Sequence, residues 1–287
     1  MHHLYYIYTV ARGQKSLYRQ ISSIFDANGL EIKRVVRAAD RKIIVTIITR
    51  RDPSGKISRI TTSDRDGRQL SRITFSYSSQ DVLVEKKFYD GNDRLIAINQ
   101  WSYNKQGRLM RFFKSKAGEN PFQQIFYSYD ASGREKEIRT LGAGNQLVNR
   151  KTKHYSESNR LIEEIVFDAE QRIKVRMVPQ YDENDRKISV HWYDKARHLQ
   201  KKELFTYNGR ILIEKTEIDL FKQSKTVRRF DEQGHLLANR WYELPDRLIR
   251  KVEKVWREDG HLSKQFEFEY TKQGEEYLVR LVDHYYE

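Results

Sequence analysis

WSYNKQGRL, residues Trp101 to Leu109, returns twenty-six residues later as YSYDASGRE, residues Tyr127 to Glu135. In each copy an aromatic ring is followed by Asn or Asp, two further residues, then Gly and Arg. Asn104 and Asp130 are turn openers, because such side chains accept hydrogen bonds from backbone N–H groups two residues on. Gly107 and Gly133 stand where the turn needs a positive φ, which glycine reaches without steric cost. Outward from each turn run about seven residues rich in Ile, Val, Leu, Phe, Tyr and Thr, the length of a strand. Strands joined by so short a loop must be antiparallel neighbours. The unit is a β-hairpin.

The same unit fills the chain. Tyr77, Tyr103, Tyr129, Tyr155, Tyr181 and Tyr207 are each 26 residues apart. Between them Tyr89, Phe167 and Tyr193 open matching turns, with degenerate members near Ser115 and Leu141, so steps between turns alternate 12 and 14. The grid runs back through Ser63, Arg51, Arg37, Phe25 and Ala11. It slips between Tyr207 and Phe230, which are 23 apart, with residues 219–225 as the place for a bend, and resumes through Tyr242, Trp256 and Tyr270. Alternation is visible where Ile173, Val175 and Met177 interleave with Lys174 and Arg176.

These features predict an all-β chain of about twenty strands, almost without helix, in one array over residues 1–287. Open twisted sheets rarely exceed about ten strands without curling, splitting or flattening. A long curved or spiral meander of tandem antiparallel hairpins is therefore expected. A β-propeller is the alternative, since two repeats would make one four-stranded blade, although the identity repeats at 26 residues. A transmembrane barrel needs one uncharged face per strand, whereas Glu163 and Glu164 occupy both faces of one strand.

Composition agrees with a thin, wet architecture. Apolar residues are 38% and charged residues 33% of the chain, too polar for one thick core. Tyrosine, at 18 residues, suits strands whose rings pack while their hydroxyls reach polar partners. With no cysteine, disulfides and thiolate metal sites are excluded. No apolar run is long enough for a transmembrane helix. The opening MHHLYYIYTVARG has neither a basic leader nor a small-residue cleavage site and reads as the first strand.

No catalytic constellation stands out, and the chain is expected to be neither an enzyme nor a cofactor binder. His235 and His261 lie 26 apart at the turn position where Arg usually stands, so they are repeat residues before they are ligands. LGAGNQL at Leu141 to Leu147 sits in a turn slot without the helix a phosphate loop requires. The net charge of +14 is spread along the chain, which serves solubility and discourages edge-to-edge pairing. It also raises a second function. The period places equivalent residues two strands apart, so Tyr103, Tyr129, Tyr155 and Tyr181 would form an aromatic row. Arg108, Arg134, Arg160 and Arg186 would form a basic row beside it. Such a stripe could track a linear polyanion, nucleic acid or polysaccharide, by charge and stacking. Alternatively the tyrosines pack as wall and the arginines pair with turn carboxylates such as Asp130 and Asp182.

The turn unit resembles the YD repeat of rearrangement-hotspot (Rhs) proteins. YSYDASGRE at Tyr127 to Glu135 is nearest to that pattern, followed by WSYNKQGRL at Trp101 to Leu109 and YDGNDRL at Tyr89 to Leu95. The resemblance extends from about Phe25 to Tyr270. It implies hairpins wound into a spiral wall, often a shell around a toxin, at the cell surface or secreted. The period here is longer than the family's, and neither its self-cleaving core motif nor an effector-like stretch is visible. The function expected is a non-enzymatic scaffold: a wall segment or a protein-interaction surface.

The ends raise a physical problem. Leu4, Tyr5, Tyr6, Ile7 and Tyr8 form an apolar first strand, and Tyr277, Leu278, Val279, Leu281, Val282, His284, Tyr285 and Tyr286 an apolar last one. Arg12 and Arg280 give such strands only marginal protection. Unpaired edges of that kind template association. The ends must pair with each other, with another copy or with a longer array, and association with a partner through the terminal strands is the outcome expected.

Overall fold

The computed structural model describes residues 2–11 and 14–286. Arg12 lies outside the described residues, as does the side chain of Tyr286. The chain is almost wholly strand and turn. In order come β1 (His2–Ala11), β2 (Gln14–Phe25), β3 (Glu31–Ala38), β4 (Ile43–Arg51), β5 (Ile57–Ser63), β6 (Gln69–Tyr77) and β7 (Leu83–Asp90). Then follow β8 (Leu95–Tyr103), β9 (Leu109–Lys116), β10 (Gln123–Tyr129), β11 (Glu135–Gly142), β12 (Leu147–Tyr155), β13 (Leu161–Phe167) and β14 (Ile173–Tyr181). The last are β15 (Lys187–Tyr193), β16 (Leu199–Asn208), β17 (Ile211–Asp219), β18 (Ser224–Phe230), β19 (Leu236–Glu243), β20 (Arg247–Trp256), β21 (Leu262–Tyr270) and β22 (Glu276–Tyr286). The one helical element among the described residues is a single 3₁₀ turn at Ala143–Asn145.

Each hairpin closes by the chemistry its sequence announces. In the β8–β9 turn the Asn104 amide donates to the Arg108 carbonyl at 2.9 Å and the Gly107 amide to the Asn104 carbonyl at 2.9 Å. This is a type I turn whose left-handed residue creates a bulge, a preferred solution for short hairpin loops. Gly107 has φ 75°, and Asp81, Asp93, Asn159 and Asp185 occupy the same region at equivalent positions. Asn and Asp tolerate that region better than other side chains. A register shift accompanies many of these turns, for example between Ser102 and Tyr103.

The contacts divide the chain into two units. The first comprises Ile21–His154 with Ile165–Lys174, and the second His3–Gln20, Tyr155–Glu164 and Val175–Glu287. In the first unit β3 to β11 pair in sequence order, each antiparallel to the next. In the second, β15 to β22 do the same. The short interval after Tyr207 is absorbed in part at Gly209, where Asn208 pairs directly with Ile211, and in part in β18, which has 7 residues where the equivalent β8 has 9. The neighbouring turn carries Phe221, 84% exposed.

The sheet does not end at β22. That strand pairs with β1, antiparallel, from His3 opposite Tyr286 to Thr9 opposite Arg280. All 22 strands belong to one antiparallel sheet, and this pair closes it. Two expectations are corrected here. The hairpin array is one sheet whose first and last strands pair, neither an open spiral nor separate propeller blades. The terminal strands spend their backbone groups on each other, so they offer no open edge for association. The apolar side chains that made these strands look hazardous instead pack across the seam. Tyr5 meets His284 edge-on at 5.0 Å, Tyr6 meets Tyr285 at 5.7 Å, and Ile7 and Val282 are buried opposite each other. Lys15 reaches the buried Asp283 carboxylate at 2.9 Å. Burial raises the cost of protonating His284, whose pKa is lowered by that desolvation and by Lys254.

Candidate functional site: the aromatic and basic rim

The turns that follow β4, β6, β8, β10, β12, β14, β16, β18 and β20 carry the predicted rows. Each opens with an aromatic or other large residue at a strand's end. The ring does not point idle into solvent. The Tyr77 hydroxyl donates to the Ile57 carbonyl at 2.9 Å, Tyr103 to Leu83 at 2.9 Å and Tyr129 to Leu109 at 2.7 Å. Tyr181 donates to the Leu161 carbonyl at 3.2 Å and Tyr207 to Lys187 at 3.0 Å. Trp256 uses its indole N–H in the same way, to the Leu236 carbonyl at 3.0 Å. In every case the acceptor lies 20 residues upstream, at the first residue of the strand leaving the preceding turn. The aromatic row ties successive hairpins together. Burial holds the Tyr103 and Tyr129 phenols above their ordinary pKa, so they remain donors at neutral pH.

The basic row follows from the same geometry. Where the residue just before the acceptor carbonyl is basic, it lies over the ring that donates there. Lys56 sits 5.3 Å from the Tyr77 ring centre, Arg108 5.7 Å from Tyr129, Arg160 5.8 Å from Tyr181 and Arg186 5.2 Å from Tyr207. His235 takes this place against Trp256, stacked at 4.5 Å. Cation–π contacts at exposed sites contribute about 0.5–1 kcal/mol each.

The carboxylates of the turns meet most of these cations. Asp130 Oδ1 accepts the Arg134 backbone N–H at 2.9 Å and its Oδ2 accepts the guanidinium at 2.7 Å. Asp182 receives Arg186 in the same two ways, at 2.9 Å and 2.6 Å, and Arg186 also donates to the Gly209 carbonyl. Arg160 pairs with Asp185 of the next turn. The backbone N–H of Arg134, with its guanidinium, holds the Asp130 carboxyl below the usual range. Arg108 differs. Asn104 stands where the aspartate would be, and its guanidinium rests over Gly133, where a Cβ would come within 2.0 Å of it. The structure therefore places Arg108, Arg134, Arg160 and Arg186, and Tyr103, Tyr129 and Tyr181, at equivalent repeat positions; a cation lies over the ring at Tyr129 and Tyr181, and a turn carboxylate meets Arg134, Arg160 and Arg186. Tyr155 closes β12 at the equivalent position.

The intervening turns use a different arrangement. Here a cation in mid-strand covers the aromatic: Arg72 lies 3.8 Å from the Tyr89 ring centre, Arg150 4.1 Å from Phe167 and Lys225 4.6 Å from Tyr242. Each also reaches the residue four positions after the ring, namely Asp93 at 2.9 Å for Arg72, Gln171 at 2.7 Å for Arg150, and Asp246 for Lys225.

One feature of the first unit is absent from the sequence reading. Ile44, Leu70, Ile96, Phe122 and Val148 are 26 residues apart and all lie between 40% and 50% exposed. They form a row of apolar side chains at one repeat position, beside the turns. The spacing was visible, but alternation alone does not tell an outward aliphatic from an inward one when both faces of a strand carry polar residues. Among the described residues no group of three or more His, Cys, Asp or Glu is placed to hold a metal ion, and no helix is long and apolar enough to cross a membrane.

No protein-family model matches this sequence, and no curated protein matches it. The chain is similar to part of the Tc holotoxin pore of Photorhabdus luminescens, at 11% identity and TM-score 0.33, covering 94% of this chain and 19% of that one. It thus spans about a fifth of that protein's length. A porin-like protein from Bacteroides uniformis matches at 10% identity and TM-score 0.31, over 100% of this chain and 96% of that one. The N-terminal domain of the effector protein SpvB from Salmonella typhimurium matches at 9% identity and TM-score 0.22, over 92% and 97%. Likeness at this level carries no functional argument.

Proposed function

We propose that this chain is a non-enzymatic β-hairpin scaffold whose outer surface receives a protein partner. The observation that supports it most is the use to which the chain puts its own conspicuous residues. The aromatic and basic rows bind hairpin to hairpin through a donor to a backbone carbonyl, a cation over the ring and a carboxylate against the cation. Such a ladder is construction. It supplies directional contacts to an architecture with few fully buried side chains, where apolar burial alone would leave neighbouring hairpins weakly joined. The row from Ile44 to Val148 is the surface left over for a partner, because exposed apolar patches in an otherwise charged surface mark interaction sites.

The second reading is a polyanion-binding module on the same rim, favoured by the net charge of +14 and by Arg108, which has Asn104 in place of a turn carboxylate. The two separate in one experiment. Arg108, Arg134, Arg160 and Arg186 are replaced together by Gln, and both melting temperature and heparin affinity are measured across a salt series. The scaffold reading expects a clear fall in melting temperature, about 2–4 kcal/mol of stability over four sites, and no heparin binding that depends on these residues. Heparin affinity that falls steeply with salt in the wild type and vanishes in the variant, at unchanged stability, would overturn it in favour of the second.

A further inference from the structure

The regular turn sequence is replaced twice in the first unit, at residues 117–122 between β9 and β10 and at residues 143–146 between β11 and β12. Between these two irregular loops lies a cavity of about 560 Å³. Its floor comes from three adjacent strands. Arg111 of β9 stands opposite Phe126 of β10, and Gln124 of β10 opposite Leu141 of β11. Residues two apart on a strand share a face, so these side chains lie together. The loops add Asn120 and Asn145.

The polar groups of this cavity are held in place. Gln124 is only 6% exposed. Its Oε1 accepts from the Arg111 guanidinium and its Nε2 donates to the Asn145 side-chain oxygen. The guanidinium is further seated between two rings, 5.1 Å from Phe113 and 5.2 Å from Phe126. Asn145 has φ 61° and stands where Asp93 and Gln171 stand in the intervening turns, whose side chains also reach the neighbouring strand. The arrangement is costly without a reason. No carboxylate is among the residues lining the cavity, and the Arg111 Nε–H is buried with no hydrogen-bond partner. A buried charged donor left unmatched is destabilising. Elsewhere in this protein Arg134, Arg160 and Arg186 of the repeat each meet a turn carboxylate.

We propose that this cavity is a binding site for a small polyhydroxylated carboxylate, an acidic sugar. A guanidinium fixed by its neighbours and lacking an internal counter-charge selects a carboxylate, which it can meet in planar geometry. The amides of Asn120, Gln124 and Asn145 offer both donors and acceptors to hydroxyl groups. Phe126 and Leu141 present an apolar wall to the C–H face of a sugar ring. The volume lies within the range of roughly 300–1,000 Å³ of small-molecule sites. A phosphate group is a poorer fit, since a single cation opposes it and no helix N-terminus is near. Gln124 and Asn145 make the tie that Arg72 and Asp93 make at an intervening turn, but Arg111, which carries the proposal, lies outside that ladder, so the proposal does not rest on the scaffold reading.

The test is calorimetric titration of the full chain with D-glucuronate, D-glucose and acetate. Glucuronate is expected to bind, with glucose and acetate each at least about tenfold weaker, since each lacks one half of the recognised chemistry. Arg111→Gln should weaken glucuronate binding by about 10- to 100-fold, the loss of one charge-assisted contact. Its circular dichroism and melting curve check that the fold survives. Should that variant not fold, Asn120→Ala, in an exposed loop, serves instead and should weaken binding several-fold. No heat with glucuronate at millimolar concentration overturns the proposal. So does equal binding of glucose or of acetate, or unchanged affinity in the folded variants.

Discussion

Strand β11 ends in two turns that differ in what they leave over. At its start, Asp130, Gly133 and Arg134 close the turn, and the ring before them ties it to the preceding hairpin. Asp130 takes the Arg134 backbone and guanidinium, Gly133 takes the left-handed position, and Tyr129 bonds the Leu109 carbonyl. At its other end, residues 142–146 close through the Gly142 amide to the Gln146 carbonyl at 2.8 Å, without a side-chain acceptor in the opening position. Leu141 stands in the aromatic's place and Asn145 lends its side chain to Gln124. The first turn is a joint. The second is a joint made of neutral amides, and a polar cavity lies beside it. In a repeat protein the position that departs from the consensus is the one free to take up another task.

Glycine substitution tests the contrast most severely. Gly133 has φ 78° and the Arg108 guanidinium within 2.0 Å of an added Cβ, whereas Gly144 has φ 68° with nothing within 4 Å. Gly144→Ala should cost about 1–2 kcal/mol, from the left-handed backbone alone. Gly133→Ala should cost more, by roughly 0.5–1 kcal/mol, because it also dislodges Arg108 from the Tyr129 ring. Urea denaturation of the two variants measures the gap, and equal losses would show that the regular turn is no tighter than the irregular one.

Removing a single atom probes the joint itself. Tyr129→Phe deletes the 2.7 Å bond to the Leu109 carbonyl but keeps the ring under Arg108. A loss of about 1 kcal/mol is expected. A neutral result in thermal unfolding would mean that water replaces the hydroxyl, and the aromatic row would then act by packing only.

The smallest expected effect is electrostatic. Asp130 is held below the usual carboxylate range, first by the Arg134 backbone N–H and then by its guanidinium. A depressed folded-state pKa contributes stability that is present above the unfolded value and lost as pH falls through the folded one. Asp130→Asn recreates the turn that Asn104 already makes. Wild type should therefore exceed this variant by a constant margin above about pH 5, and the margin should shrink as pH falls below the ordinary carboxylate range and through the depressed folded-state value. Melting temperatures across that range decide it; a margin independent of pH would assign the effect to turn geometry instead of charge.

Much of this was legible because it is local. A turn needs Asp or Asn at one position and a left-handed residue three later, and both are written in YSYDASGRE. The partnership of Arg134 with Asp130 spans four residues and was one of the two readings the turn allowed. The tie from Tyr129 to Leu109 spans twenty and depends on register, which the period implied without naming the acceptor. The cavity was less legible. LGAGNQL looked like a failed turn and nothing more, since the partners of Asn145 are Gln124 and, through it, Arg111, on strands whose pairing had to be known first.

The sequence by itself determined the hairpin, its period and the antiparallel order of the strands, because turn chemistry and strand propensity act over a few residues. Tertiary structure alone decided how the array ends. His3 to Thr9 pair with Arg280 to Tyr286, a contact between the two extremes of the sequence that no local pattern encodes. Whether such strands meet depends on the twist and bulge of every intervening hairpin, small rotations that accumulate across the sheet. The same summation decided which cations found a carboxylate and which, like Arg111, were left facing a cavity.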